Sequence, residues 1–486
     1  MLCHNLQSHI IDSKFFRAGY STDEARRVFC DFRRLQRWLD IEVALAISQA
    51  TLGMIPLSAA EELEQTAHLS LLDLHEISDS ITSTGHSLIP LLSAWQEVTK
   101  PAAARFIHYG ATTQDIQDTA QTLEIKEVLS FIERDICNII QELIGLARKY
   151  RDLVIVGRTH GQHALPTTLG LKIAVWLDEI VRSGERLHEC RKRVLVSQLF
   201  GGVGTMAAFK GQGMELLDEF SKRLKLSSPR TAWHTARDRQ AELLSFMAIL
   251  GGGLGKIANE ISQLARNEIC ELEEPFHMGK IGSTTMPHKR NPELCEQVVV
   301  LARLIKNNTI AGFDALINEH ERDYRSIRME WVSIPESAQF LCSALRLMRT
   351  ILKNLIIHEN SIAANLKESA CHVSTEALMF RLSDKTGKQA AHKLLYELSM
   401  QSYSSNRPLQ ELVEEHPEIC NKLDPALLAE LLNPANHVGV AWQLTARTIN
   451  AAEEWLATSP QRDLSGHVCP LAGDQGECSI SMAGSK

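Results

Sequence analysis

The stretch QTLEIKEVLSFIERDICNIIQELIGLARK, residues 121–149, decides the fold. Its apolar side chains recur every three or four residues, at Ile125, Leu129, Ile132, Ile136, Ile139, Leu143 and Ala147. This spacing places them along one side of an α-helix. We therefore predict one long helix whose apolar side packs against other helices.

Two further stretches repeat the pattern. They run through Leu169, Ile173, Trp176, Ile180 and Leu187, and through Leu243, Met247, Leu250, Leu254, Ile257, Ile261 and Leu264. Three helices of about thirty residues would each be about 45 Å long. They predict an all-α fold with a central long-helix bundle. Because one chain has few other elements of that length, we expect other subunits to complete the bundle; a monomeric bundle is the alternative.

Glycines interrupt the last of these stretches. Gly251, Gly252 and Gly253 lie inside its pattern. Each costs about 1 kcal/mol relative to alanine in a helix. Either the helix breaks there or another backbone approaches closely, and the sequence leaves both possibilities open.

The pattern divides the chain into four parts. Residues 1–110 predict an N-terminal helical domain, residues 111–360 the central bundle, and residues 361–457 a C-terminal domain of shorter helices. Residues 458–486 are rich in Ser, Gly and Pro and predict a flexible tail.

Composition and charge exclude several classes of protein. The chain has 486 residues, of which 44% are hydrophobic and 23% charged, as in soluble globular proteins rather than disordered or fibrous ones. A net charge of -8 gives no overall attraction for nucleic acid. The sequence predicts neither a membrane span nor a secretory signal. Eleven cysteines without a CxxC pair indicate reduced thiols and a cytoplasmic protein.

The segment GSTTMPHKRNP, residues 282–292, is the most informative for chemistry. Its small residues expose backbone N–H groups just before a predicted helix, whose N-terminus attracts anions. Lys289 adds a charge and Asn291 adds hydrogen-bond donors. The segment suits a carboxylate whose charge increases during a reaction. An ordinary turn that leads into a helix is the alternative.

This segment resembles the GSSxMPxKxNP loop of the fumarase/aspartase superfamily. HYGATTQD at 108–115 and GRTHGQHA at 157–164 are similar to two further blocks of that superfamily, in order and spacing. The resemblance covers residues from about 15 to 455 and leaves out the predicted tail. It implies a three-domain all-α fold and a homotetramer in which three subunits build each active site.

The resemblance also implies an anti elimination. A base removes a proton beside a carboxylate, an aci-carboxylate forms, and the β-substituent leaves. Ser283 would be the base, with the helix N-terminus, nearby amides and Lys289 stabilising its alkoxide. Lys289 and Asn291 would bind the activated carboxylate. His160 would protonate the leaving group, which suits a side chain whose ordinary pKa is about 6.5.

Other residues match substrate-binding positions of the superfamily or of one of its branches. Five are expected to bind a di- or polycarboxylate substrate: His86, Thr112, Thr113, Gln114 and Arg322. Thr112, Thr113 and Gln114 would bind a carboxylate through hydroxyl and amide donors. His108 and His163 are expected to be structural. The chemistry implies no metal and no cofactor.

Two branches of the superfamily compete. WHTARDR at 233–239 and EHER at 319–322 resemble the 3-carboxy-cis,cis-muconate cycloisomerases. Adenylosuccinate lyases carry Gln where Ala236 stands, and arginines that hold a nucleotide phosphate where Gly19 and Trp331 stand. Each lost charge-assisted contact costs about 1.5–3 kcal/mol. The sequence therefore predicts a cycloisomerase-like enzyme that acts on a succinyl-type acid.

Two alternatives stay open. The first is an adenylosuccinate lyase that releases fumarate, with Arg17, Arg325 or Arg328 replacing the missing phosphate contacts. The second is a catalytically silent structural homologue. Retention of Ser283 and His160 argues against a silent protein.

Overall fold

The computed structural model describes residues 8–459, so the predicted tail lies outside the described residues from residue 460 onward. The described chain is helical apart from four short strands, which confirms the all-α fold class.

Six helices form the N-terminal part of the described chain. They are α1 (Asp23–Phe29), α2 (Asp31–Thr51), α3 (Leu57–Thr66), α4 (Leu74–Thr84), α5 (Ile89–Val98) and α6 (Pro101–Ala104). Short 3-10 turns lie at Ile10–Asp12, Arg17–Gly19 and Leu69–Leu71. An apolar cluster that includes Leu39, Leu63 and Trp95 holds α2 to α6 together, whereas Ala25 of α1 belongs to the main core of the bundle.

The central part contains five long helices. In chain order its elements are α7 (Thr113–Lys149), β1 (Val154–Thr159), β2 (Gln162–Thr168), α8 (Leu169–Val194), a 3-10 turn (Ala207–Phe209), α9 (Gly213–Leu224), α10 (Asp238–Leu264), β3 (Leu272–Glu273), α11 (Glu293–Asp314), α12 (Tyr324–Lys353) and β4 (Ile356–Ile357). The three predicted apolar stretches fall in α7, α8 and α10 and line the main core. The prediction of long helices is therefore confirmed.

Long helices that follow one another along the chain run antiparallel. The β1–β2 hairpin joins α7 to α8, and Arg191 near the end of α8 returns to Glu133 in the middle of α7, at 2.6 Å. Helix α10 pairs with α8 in the opposite direction, through Arg193 with Glu242 and Lys256 with Glu179. Consequently the end of α10 and the start of α11 lie at the C-terminal end of α7. The starts of α10 and α12 lie at its N-terminal end.

The glycines of α10 permit close packing, because the helix continues unbroken through them. A Cβ atom at Gly251 would lie 3.1 Å from Ile305 Cδ1, and one at Gly255 only 2.9 Å from Ala302 Cβ. Both neighbours belong to α11. Of the two possibilities that the sequence left open, close approach is therefore correct, although Gly252 faces open space.

Helix α10 is also long and apolar enough to cross a membrane, by length and composition alone. Its most apolar window has a mean hydropathy of 1.4, and 67% of that window is buried inside the described chain. Core helices of soluble proteins have the same character. The helix therefore gives little support for a membrane span.

Shorter helices form the C-terminal part. They are α13 (Glu359–Val373), α14 (Thr375–Thr386), α15 (Lys388–Ser405), α16 (Leu409–Glu415), α17 (Pro417–Cys420), α18 (Pro425–Leu431), a 3-10 turn (Pro434–His437) and α19 (Ala441–Thr458). Helices α14 to α18 enclose a third apolar cluster around Leu378 and Val413. Helix α19 returns to the bundle, where Trp455 stacks on His188 with ring centroids 5.4 Å apart. The domain limits themselves stay a prediction.

Candidate active site

A cavity of about 320 Å³ lies at the N-terminal end of α7. Its lining includes five of the seven residues that the sequence predicts to bind substrate, namely His86, Thr112, Thr113, Gln114 and Arg322, but not Lys289 or Asn291. They come from the α4–α5 connection, the start of α7 and the loop before α12. Three distant parts of the sequence therefore meet here, while the role of each residue stays a prediction.

A capping box fixes the first turn of α7. Thr112 is the N-cap, and its backbone N–H donates to Asp115 Oδ2 at 3.1 Å. The same buried carboxylate accepts from the N–H groups of Phe200 and Gly201, at 3.0 and 2.9 Å, and lies 2.9 Å from His234 Nε2. Because four groups hold one carboxylate, this end of the helix is preorganised.

A buried ion network lies one turn further along α7. The guanidinium of Arg237 donates to both oxygens of Asp118, at 2.9 and 3.0 Å, and to Glu330 Oε1 at 2.8 Å. All three side chains are fully buried. Burial by itself lowers the pKa of Arg237, but the two carboxylates raise it above its ordinary value. Sequence reasoning missed Asp118, although its four-residue spacing from Gln114 was a usable signal.

Gln114 belongs to this network. Its Nε2 atom donates to Asp118 Oδ2 at 3.1 Å and to the His234 carbonyl oxygen at 3.0 Å. Both donors of the amide are therefore used inside the protein. The residue lines the cavity, and its donation to a substrate carboxylate stays a prediction, although in this structure both donors have partners within the protein.

Arg322 is the only Lys or Arg among the described residues that line the cavity. Its guanidinium donates to the Thr112 hydroxyl at 2.5 Å and to the carbonyl oxygens of Gly201 and Gly202, at 3.1 and 2.6 Å. The side chain therefore positions Thr112 and the 201–202 loop. Its Nε is buried without a hydrogen-bond partner.

His160 lies at the tip of the β1–β2 hairpin, at the other end of α7. His160 and Gly161 are the two turn residues, with φ of 52° and 76°. Positive φ at both positions is typical of tight two-residue hairpins. The His160 side chain is exposed. Arg158 in β1 pairs with the buried Glu271, at 2.7 Å, which ties the hairpin to the strand before the 282–292 loop.

Ser283 lies in that loop with its oxygen turned towards backbone amides. Its Oγ accepts from the N–H of Met286 at 3.0 Å and of Thr285 at 3.3 Å. Asn291 Nδ2 donates to the Gly282 carbonyl at 2.6 Å and closes the loop. A Cβ at position 282 would collide with the carbonyl oxygen of Lys289, so only glycine fits. Amides are thus in place to stabilise negative charge on Ser283.

The N-terminus of α11 already binds a carboxylate of the protein. Glu274 accepts from the N–H groups of Leu294 and Cys295, at 3.1 and 2.8 Å, and pairs with Lys280 at 2.6 Å. The carboxylate therefore occupies the positive end of the helix. Two of its N–H groups are thus already bound, and a contribution of this helix N-terminus to a Ser283 alkoxide stays a prediction.

Within one chain, the residues that line the cavity lie far from His160 and Ser283. The cavity lies at the start of α7, and His160 and the Ser283 loop lie at its end. A helix of 37 residues is about 55 Å long. Lys289 and His160 are both exposed at the far end.

The three arginines that the sequence offers as phosphate-binding residues do not lie together in one chain. Arg325 pairs with Asp323 and Glu319, and Arg328 stacks on Tyr324, at the cavity end. Arg17 precedes Gly19, whose carbonyl accepts from Gln297 at the start of α11, at the opposite end.

The two histidines expected to be structural both have protein partners. His108 Nδ1 lies 2.6 Å from Glu42 Oε1, and His163 Nδ1 lies 2.5 Å from the Ser369 hydroxyl. Burial lowers the pKa of His108, but the Glu42 carboxylate outweighs it and raises the pKa. Among residues 8–459, no group of three or more His, Cys, Asp or Glu side chains could hold a metal ion.

Comparisons with known proteins show which families and proteins this chain resembles. Residues 17–305 match a family model described as "Lyase", and residues 372–448 match one described as "Adenylosuccinate lyase C-terminus". An N-acetyl-S-(2-succino)cysteine lyase of Dickeya dadantii is 40% identical, over 92% of this chain and 98% of that protein. An adenylosuccinate lyase of Pyrococcus abyssi is 39% identical, over 90% and 97%.

A solved structure is similar as well. The 3-carboxy-cis,cis-muconate lactonizing enzyme of Pseudomonas putida superposes with a TM-score of 0.85 at 33% identity, over 91% of this chain and all of that one. These matches extend over nearly the whole chain, and the loop and hairpin motifs fall within them. The chain therefore belongs to the fumarase/aspartase superfamily and is an enzyme of that superfamily.

Proposed function

We propose that this enzyme eliminates a thiol from an S-succinyl thioether and releases fumarate. The sequence by itself favours a cycloisomerase-like reaction on a succinyl-type acid, and elimination is the same chemistry with a heteroatom leaving group. The similarity to the lyase of Dickeya dadantii supports sulfur as that heteroatom.

The observation that carries this choice is the scarcity of cations around the cavity. Arg322 already binds Thr112 and two backbone carbonyls. Trp331, which stands where adenylosuccinate lyases carry an arginine, packs between Trp38 and Tyr324, with ring centroids 6.3 and 6.4 Å away. A phosphate dianion needs several charge-assisted donors, whereas a thioether leaving group needs none.

The reaction follows from the residues at the loop and hairpin end. Ser283 removes a proton from the succinyl carbon beside the distal carboxylate, and the electrons move into an aci-carboxylate that Lys289 and Asn291 stabilise. The carbon–sulfur bond then breaks, and its electron pair leaves with sulfur. His160 protonates the thiolate. The products are fumarate and a free thiol.

The same proposal includes a homotetramer with composite sites. The length of α7, which separates the cavity from His160 and Ser283, supports this part of the proposal. Because of that separation, another copy of the chain has to bring the acid and the base to the cavity. Cytoplasmic location stays a prediction.

A second candidate is adenylosuccinate cleavage. It is favoured by the "Adenylosuccinate lyase C-terminus" match and by Arg328, which is exposed beside the cavity and stacks on Tyr324 at 4.8 Å.

The test is product formation from three compounds by purified protein. We expect fumarate from N-acetyl-S-(2-succino)cysteine. Ser283→Ala should abolish this activity, whereas Ser404→Ala, at an exposed serine of α15, should retain it. Fumarate from adenylosuccinate alone would establish the second candidate. Lactone from 3-carboxy-cis,cis-muconate would establish the cycloisomerase. Turnover of none of these by folded, assembled protein would leave a silent homologue.

A further inference from the structure

The turn of the β1–β2 hairpin carries His160 and has little packing of its own. Residues 159–162, which we call the hairpin tip, are all exposed, and the nearest buried residues along the chain are Val156 and Pro166. The strand register shifts between Val156 and Arg158, so only two residue pairs continue the hairpin beyond this irregularity. The position of the tip therefore depends on side chains that hold the two strands beside it.

Two such side chains lie opposite each other in the strand register, Arg158 in β1 and His163 in β2. The guanidinium of Arg158 donates to both carboxylate oxygens of Glu271, at 2.7 and 2.9 Å. His163 Nδ1 lies 2.5 Å from the hydroxyl of Ser369 in α13. Both strands of the hairpin are thus bound immediately beside the tip.

The Glu271 carboxylate is itself held in place. It is almost fully buried, and its Oε1 atom also accepts from Asn365 Nδ2 of α13, at 2.9 Å. The backbone N–H of Glu271 donates to the Leu264 carbonyl at the end of α10, at 2.9 Å, and its carbonyl accepts from the N–H of His358, at 3.0 Å. A bidentate pair with such a fixed carboxylate restricts both the position and the plane of the Arg158 guanidinium.

A second arginine–glutamate pair has similar burial but no exposed segment to hold. Arg191 in α8 pairs with Glu133 in α7 at 2.6 Å, and their side chains are 14% and 7% exposed. The corresponding values for Arg158 and Glu271 are 14% and 2%. Arg191 and Glu133 both lie inside long helices of the bundle. The two pairs therefore offer matched carboxylates, of which only Glu271 binds the hairpin.

We propose that Glu271 is a positioning residue that, through Arg158, holds the hairpin tip where His160 can protonate the leaving thiolate. This inference rests on the proposed function, which takes His160 as the acid. A general acid has to lie within hydrogen-bond reach of the atom that it protonates. A displacement of about 1 Å can lower a rate by about 100-fold. Loss of the Glu271 carboxylate should therefore slow the step that His160 assists.

The test is a double-mutant cycle that measures fumarate release from N-acetyl-S-(2-succino)cysteine. Glu271→Gln should lower kcat by about 10- to 100-fold and change KM little. His160→Asn should lower kcat by about 100-fold or more. In the His160→Asn background, Glu271→Gln should have almost no further effect, because the acid that it displaces is already absent. Glu133→Gln is the matched control and should keep kcat in both backgrounds.

Hydrogen exchange provides a second measurement that needs no substrate. Residues 157–163 should exchange faster in Glu271→Gln, whereas Glu133→Gln should leave their exchange unchanged. If Glu271→Gln fails to fold, Arg158→Gln/Glu271→Gln replaces it, because that protein keeps no charge without its partner. The same results are expected from it.

The outcomes separate this inference from the proposed function. Unchanged exchange of the hairpin, or an equal fall in kcat with and without His160, overturns the inference alone. Normal kcat in His160→Asn removes the acid from the proposed mechanism and overturns the inference with it. If the unaltered protein releases no fumarate, the proposed function fails and the role in protonation fails with it. The exchange rates then still decide whether Glu271 holds the hairpin.

Discussion

The two ends of α7 hold their site residues differently. At the N-terminal end, Asp115, Asp118 and Arg237 are buried, and each is bound by several partners. At the other end, His160 is exposed and the Ser283 oxygen is bound only by amides of its own loop. One end is thus preorganised within a single chain. We expect the other end to acquire its surroundings from a second copy.

The largest expected effect concerns the base. If Ser283 removes the proton, Ser283→Ala should lower kcat by about 100- to 10,000-fold, since a positioned base contributes that much. Ligand binding at the cavity end should persist. Steady-state kinetics, with Ser404→Ala as the control, make the comparison. A Ser283→Ala enzyme with near-normal kcat would remove Ser283 from the mechanism.

The next largest effect concerns stability at the cavity end. Arg237→Met leaves Asp118 and Glu330 buried without their cation, which should cost about 3–5 kcal/mol of unfolding free energy. Arg407→Met breaks an exposed pairing with Glu415 and should change stability little. Urea unfolding of both variants at one protein concentration measures the difference. Equal losses would contradict the preorganised cavity end.

A smaller effect is expected where the 282–292 loop meets α11. Glu274→Ala removes the carboxylate that binds two N–H groups of α11 and also Lys280. The loss should cost about 1–2 kcal/mol and lower kcat more than it raises KM. Hydrogen exchange over residues 276–292 should become faster. The same exchange rates in Glu274→Ala and in the exposed control Glu293→Ala would refute this role.

The smallest effect is a pH dependence in the N-terminal part. Glu42 raises the pKa of His108 in the folded chain above its ordinary value of about 6.5. Stabilisation from this pair is therefore complete below about pH 6.5 and is lost as the pH rises through the higher folded-state pKa. Glu42→Gln should flatten that dependence in thermal unfolding. If Glu42→Gln leaves the pH dependence of thermal unfolding unchanged, groups other than the His108–Glu42 pair cause that dependence.

Much of the fold was predictable because long helices leave a strong periodic signal. The apolar spacing of residues 121–149 identifies the interior of α7, and the same reasoning identifies α8 and α10. The glycines of α10 were ambiguous because their role depends on Ala302 and Ile305, fifty residues away along the chain.

The candidate site was predictable in its residues but not in its arrangement. Motifs identified five of the residues that line the cavity, yet they could not show that His160 and Ser283 lie at the opposite end of α7. The orientation of Gln114 depends on Asp118 and on a backbone carbonyl at His234. The capping of α11 depends on Glu274, twenty residues before the helix turn that it binds. No local pattern encodes such contacts.

The most direct measurement of the central claim is complementation between two inactive variants. Ser283→Ala removes the base, and Thr112→Val impairs the cavity end. The two variants are mixed, unfolded and reassembled together, so that hybrid oligomers form. If the cavity and the Ser283 loop of each active site come from different copies of the chain, these hybrids should regain fumarate release. Hybrid oligomers without activity, or a fully active monomer, would show that one chain builds the whole site.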